Sequence, residues 1–455
     1  MEVMSAFGLA SVMLCFGMLF RAKISVFRNM LMPASVIAGV IGFILMNVLT
    51  ETGVEIGIQS ETYTEIVNQL FIISFISISL TTNVAQTEGG DVKNFAKGTF
   101  ALGIIWCLLY AVTPLAGTGI VALLGGKVGM DAVYGMLVQF AFCQGPGQAA
   151  AYGMIFEQYG WEQASMTAVT FSAIGFIVAF GIGVPAAKMG IKRGIARYCG
   201  KIDEKTIKGY LNKNEQSEYM VKDTTCGSNI ETLSFHFALI GVSYLLAVLI
   251  GRIFSYLPGF LGTSMSSMMF MNGMYAAYIV RYVIKKLHID FLQETILQNK
   301  ITGWTADYLV VCSFMAIAVK MLRDWLPVIL IVSIFITLIT FAVCFYFGQR
   351  IGGENDFERT LGLYGTCTGT VPTGVAIVRI VDPDFKTTTS LELGACNLVM
   401  LASTPVYLIV LALASGSIKM EAAIYGLLIC VVVYLLILKL AKCWGKVTFR
   451  WGGNI

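Results

Sequence analysis

Apolar blocks of roughly 18 to 25 residues recur along the chain between short charged loops, each long enough to cross about 30 Å of hydrocarbon. They predict spans near 3–20, 29–49, 65–82, 99–124 and 163–187. A second set falls near 232–256, 260–282, 304–321, 325–347 and 388–415, and one more block covers 421–440. Two further apolar stretches, 133–156 and 361–381, are interrupted by glycine, proline and polar side chains. A lipid-facing helix gains nothing from "CQGPGQ" (143–148) or "GTCTGTVPTG" (365–374), so these interruptions call for a different explanation.

Composition agrees with a membrane chain. The 455 residues are 57% hydrophobic and 13% charged, against about 25% charged in soluble domains. The reading is an all-α polytopic membrane protein. Glu2 precedes the first block while Arg21 and Lys23 follow it, the reverse of a cleavable signal peptide, so the N-terminus is expected outside. If both interrupted stretches enter and leave by one face, the C-terminus lies inside. Of the 31 Lys and Arg, 26 then fall inside, leaving Lys127, Arg252, Lys320, Arg323 and Lys419 outside. That split follows the positive-inside rule, and it assigns the net charge of +4 to cytoplasmic loops and not to a nucleic-acid partner.

The eleven cysteines include no C-x-x-C pair, and His236 and His288 stand far apart. No cofactor or structural metal is expected. Neither H-E-x-x-H nor a G-x-S-x-G elbow occurs. The Gly90–Asp91 pair in "EGGDVK" has no partner motif, so an enzyme is not expected. A channel would need a filter repeated around an axis, which two unlike interrupted stretches do not provide.

The polar stretch 188–231 reads as a cytoplasmic linker between a first half, 1–187, and a second, 232–415; residues 416–455 add one helix and a basic cytoplasmic tail. The halves echo one another. "SFISISLTT" (74–82) matches "SFMAIAVKM" (313–321), and "QGPGQAAAY" (144–152) matches "TVPTGVAIV" (370–378). "LMPASVIAG" (31–39) has a looser partner in "YLPGFLGTS" (256–264), in the same order. Five spans per half invert the second half relative to the first. In inverted-repeat transporters, interrupted segments at corresponding positions point to the binding site. Irregular backbone at membrane depth survives only where protein or a watery cavity satisfies it. The two stretches are therefore expected to form re-entrant hairpins whose tips line a site.

These features resemble the bacterial sodium/glutamate symporters, from "MPASVIAGV" (32–40) through "FEQYGWEQA" (156–164) to "VPTGVAIV" (371–378). The resemblance rests on a glycine-rich first tip with an Ala-rich helix and Tyr159–Gly160, and on a Gly/Thr second tip ending at Pro372–Thr373. The chain departs from the family at both tips. "CQGPGQ" has no histidine, and "GTCTGT" retains Cys367 but has none either. The resemblance implies a multi-pass plasma-membrane homodimer in which Na⁺ drives uptake of an amino acid or small organic anion such as glutamate. It also implies an elevator motion of the hairpin-bearing core.

Candidate site residues follow. Gln144 and Gln148, with Gly145 and Gly147, stand at the first tip, to meet substrate or satisfy the hairpin backbone. Thr366, Thr368, Gly369, Thr370 and Thr373 surround the second, and the four threonines offer hydroxyls to substrate or Na⁺. Arg379 is either a partner for a substrate carboxylate or a cytoplasmic neighbour of Asp382 and Asp384. Asn397 and Thr404, like Thr167 and Thr170, either complete a Na⁺ shell or bond their own helix. Asn83 ends the third span, and Glu392 is either functional or interfacial. Abundant hydroxyls and few membrane carboxylates favour Na⁺ over H⁺ as the coupling ion, with H⁺ as the alternative.

Overall fold

The protein is described here by a computed structural model. It describes the chain except residues 1, 30, 55, 82–91, 197, 199–221, 258–261, 263, 264, 267, 383–385 and 451–455. Asn83, Asp384 and most of the 188–231 linker lie outside the described residues.

Among the described residues the architecture is helical. The first half contains α1 (Glu2–Lys23), α2 (Ala34–Glu51), α3 (Ser60–Thr81) and α4 (Val92–Leu124). After them come the short α5 (Val138–Phe142), α6 (Pro146–Glu157) and α7 (Ala164–Lys192). The second half contains α8 (Thr232–Ser255), α9 (Met269–Lys286), α10 (Thr295–Met315) and α11 (Leu326–Gly348). It continues with α12 (Asp356–Thr368), α13 (Val371–Val381), α14 (Thr389–Val399), α15 (Thr404–Ala414) and α16 (Met420–Leu440). Nine helices in the described residues, counting α14 and α15 with the turn between them as one, are long and apolar enough to cross a membrane. The more polar α9 and α10 are not among them. Their boundaries differ from expectation. Pro258, Gly259 and Gly262 are poor helix formers, and α9 starts only at Met269. α10 starts early because the Glu294 carboxylate accepts the Ile296 N–H and caps it.

The span expected at 304–321 does not run through. α10 stops at Met315, residues 317 and 318 are non-helical, and a short turn resumes at Val319. Asn47 of α2 holds this break, donating to the Ile317 carbonyl at 2.8 Å and accepting from the Val319 N–H at 2.8 Å. A broken backbone in an apolar setting needs such partners.

The matched segments "SFISISLTT" and "SFMAIAVKM" fall on or just beyond α3 and α10, which pack side by side. The Ser77 hydroxyl donates to the Gln298 carbonyl, and Gln293 donates to the Leu80 carbonyl. The end of α3 thus meets the start of α10, and the two helices run antiparallel. α1, α8 and α16 leave rows of large apolar side chains exposed, including Leu245, Ile253, Ile429 and Val432. Such rows suit lipid or another apolar surface. α16 packs on α4 and α15. The chain beyond it folds back: Gly445 donates to the Arg350 carbonyl, and the Thr448 hydroxyl donates to Asp356 at 2.8 Å. Cys443 is buried on this path, and burial pushes its thiol pKa up.

Candidate functional site

Both interrupted stretches are pairs of helical arms joined by a break. In the first, α5 ends at Phe142 and α6 begins at Pro146, where a proline without an N–H does least harm. Between them Gly145 sits at φ +80°, a conformation that favours glycine. The carbonyl of Cys143 is taken by the Trp106 indole N–H at 2.6 Å. In the second, α12 gives way to α13 at Gly369–Thr370, with Pro372 in the first turn of α13. Gly145 and Thr370 are the N-caps of α6 and α13, and they touch. A β-carbon on Gly145 would lie 2.5 Å from Thr370 Cγ2 and 2.9 Å from the Gly369 carbonyl oxygen. Two helix N-termini, each with unpaired N–H groups and partial positive charge, therefore meet at one place. Gly147, one residue further on, lies against Phe71 of α3.

Beside this junction is a small cleft, about 40 Å³, lined by Phe75, Gln144, Gln148, three residues of α9 and several from 397–407. Gln148 is 1% exposed and tied at both ends of its amide. Its oxygen accepts from the Tyr110 hydroxyl at 2.5 Å, and its nitrogen donates to the Tyr407 hydroxyl at 3.1 Å. Gln144, half-buried, donates more loosely to the same Tyr407 hydroxyl at 3.4 Å. Tyr407 stacks on Tyr152, their rings 5.5 Å apart, and Tyr152 stacks on Phe140 at 4.1 Å. Two amides and the Tyr407 phenol thus form a polar strip on the cleft, backed by Tyr110 and the aromatic stack behind it.

The remaining candidates divide. Thr370 and Thr373 share a hydroxyl contact of 3.1 Å at the second break, and Gly369 backs onto Thr373. Thr368 donates to the Tyr364 carbonyl within its own helix. Thr170 donates to the Met166 carbonyl and Asn397 to that of Gly394. Thr404 donates to the Leu401 carbonyl at 2.6 Å, in place of the N–H that Pro405 lacks. Asn397 and Thr404 nonetheless line the cleft. Thr167 and Thr366 differ: both hydroxyls are buried without a hydrogen bond among the described residues. Arg379 is exposed, in the last turn of α13, and does not line the cleft.

Several features escaped the sequence reading. Tyr110, Tyr152 and Tyr407 lie inside apolar segments where an aromatic ring reads as packing. Gln139 of α5 is fully buried, and neither amide atom has a partner among the described residues. Arg359, expected in a cytoplasmic loop, is fully buried in α12 and clamps Glu392 at 2.6 and 2.7 Å. Asp356 and Asn94 complete its contacts. Gly98 of α4 allows this pair to form, since a β-carbon there would lie 2.4 Å from Arg359 Nη2. Glu157 explains the polar motif after α6, because it accepts from both the N–H and the hydroxyl of Ser165 at the start of α7.

A family model described as sodium/glutamate symporter matches residues 1–387. The match covers both broken stretches and stops before α14, α15 and α16. No curated protein matches the chain.

Proposed function

The chain belongs to the sodium/glutamate symporter family, a family of transporters and not of enzymes, and from that premise we propose that it carries a small amino acid or organic anion, the solute class that includes glutamate, together with Na⁺. Its binding site is the junction of the two broken segments. The observation that carries this reading is the contact of the N-caps Gly145 and Thr370 beside Gln144, Gln148 and Tyr407. Helix N-termini favour a carboxylate, and amide and phenol groups can replace the water it sheds. The buried hydroxyls of Thr167 and Thr366 are neutral oxygen ligands of the kind that suits Na⁺.

The same reading makes the broken segments re-entrant hairpins in two inverted halves, 1–187 and 232–415. The internal matches support it, as does the antiparallel pairing of α3 with α10. The hairpins then travel as a body against a scaffold, in an elevator motion. The exposed apolar rows of α1, α8 and α16 offer surface to lipid and to a second copy in a homodimer. The lysine and arginine distribution supports an N-terminus outside and a C-terminus inside.

A thermal-shift series on detergent-purified protein tests the proposal. A ligand at about a hundred times its Kd stabilises by about 2.7 kcal/mol. The expected result is that a carboxylate solute raises Tm in NaCl and not in choline chloride. Equal stabilisation in both salts would remove Na⁺ coupling.

A further inference from the structure

Resting on the carrier reading above, we propose that the cleft selects solutes with a single carboxylate on an apolar body, whether apolar amino acids or simple monocarboxylates, over dicarboxylates such as glutamate.

The lining divides by chemistry. Phe75, Phe270, Met271, Met274, Met400 and Leu401 are apolar or thioether side chains. Gln144, Gln148, Asn397, Thr404 and Tyr407 are polar and uncharged. Among the described residues, no lysine, arginine or histidine lines the cleft. One carboxylate has a place at the N-terminal end of α6, where the Gln144 and Gln148 amides line the cleft beside the junction with α13. The cleft provides nothing of the kind for a second.

The nearest arginines along the two arms do not supply it. Arg379 follows Val371 by eight residues, about 12 Å along the helix, and is exposed. Arg359 precedes Gly369 by ten residues, about 15 Å, and its guanidinium is engaged by Glu392 and Asp356. A second carboxylate drawn into this cleft would lose its water for thioethers, phenyl rings and a few neutral amides and hydroxyls, with no cationic side chain of the described residues in exchange, a poor trade for an anion. Methionine and aromatic side chains instead accept apolar bodies of varied shape, because the thioether is flexible and polarizable.

The full chain, reconstituted in liposomes with an inward Na⁺ gradient, provides the test. Initial uptake of radiolabelled L-methionine, L-phenylalanine, 4-methylvalerate, L-glutamate and succinate would be compared at equal concentration. The expected result is Na⁺-dependent uptake of at least one of the first three, about tenfold or more above glutamate and succinate. Glutamate or succinate uptake equal to or faster than the others overturns this inference and leaves the carrier reading standing. Absence of Na⁺-dependent uptake for all five solutes overturns both.

Discussion

Gly145 and Thr370 stand on breaks more than two hundred residues apart in sequence, and no side chain fits between them: a β-carbon on Gly145 would sit 2.5 Å from Thr370 Cγ2. The two N-terminal helix ends are brought together by this contact, and the proposed site depends on it.

Gly145→Ala therefore meets two obstacles. Its backbone, φ +80° with ψ −173°, is a region essentially reserved for glycine and costs an L-residue about 1–3 kcal/mol, and the added methyl must displace Thr370 or the Gly369 carbonyl. The expected outcome is a fall in stability beyond that figure and at least a tenfold loss of transport. Tm measurement and solute counterflow on the same preparation check it.

Gln148→Ala leaves the Tyr110 hydroxyl without its acceptor and the Tyr407 hydroxyl without a donor. Each buried polar group so orphaned costs about 1–3 kcal/mol. Substrate-dependent stabilisation should weaken about tenfold or more in apparent Kd. Tyr407→Phe, which keeps the ring stack on Tyr152, should weaken binding less. Isothermal titration or ligand-dependent Tm shifts would rank the two variants.

At the opposite end of α12, Arg359 and Glu392 form a fully buried two-point ion pair. Removing one partner strands the other, at about 3–5 kcal/mol. Glu392→Gln is expected to lower Tm markedly, and Arg359→Met combined with Glu392→Leu to recover much of that loss. A double-mutant thermal cycle measures the coupling.

Asn47→Ala removes both hydrogen bonds that bridge the break after α10. The freed Ile317 carbonyl and Val319 N–H would each cost about 1–3 kcal/mol where they stay unpaired. Hydrogen exchange of residues 316–319 should quicken relative to the body of α10.

The two interrupted stretches were legible because their signals are local: Gly145 with Pro146 and Gly369 with Pro372 stop a helix wherever they occur. The break at 317–318 was not. "AIA" carries no glycine or proline, and the residue that sustains it, Asn47, lies 270 positions away. The cleft was half legible. Gln144 and Gln148 stand out as polar letters in an apolar run, whereas Tyr110 and Tyr407 look like ordinary span aromatics until the fold brings their hydroxyls to Gln148. Arg359 misled for a related reason. Its sequence neighbours Glu354, Asp356 and Glu358 suggest a solvated loop, and only the approach of Glu392 and the space left by Gly98 make its burial affordable. Asn397 and Thr404 show the converse, side chains that reach the cleft wall while bonding their own helix.

Coupled transport at the junction of the two breaks has one direct measurement. Na⁺-driven counterflow in liposomes, comparing the wild-type chain with Gln148→Ala, measures it. The expected result is saturable exchange of a carboxylate solute that requires Na⁺, with the variant folded yet at least tenfold slower. Exchange that proceeds equally in choline, or that is unchanged in Gln148→Ala, would contradict it.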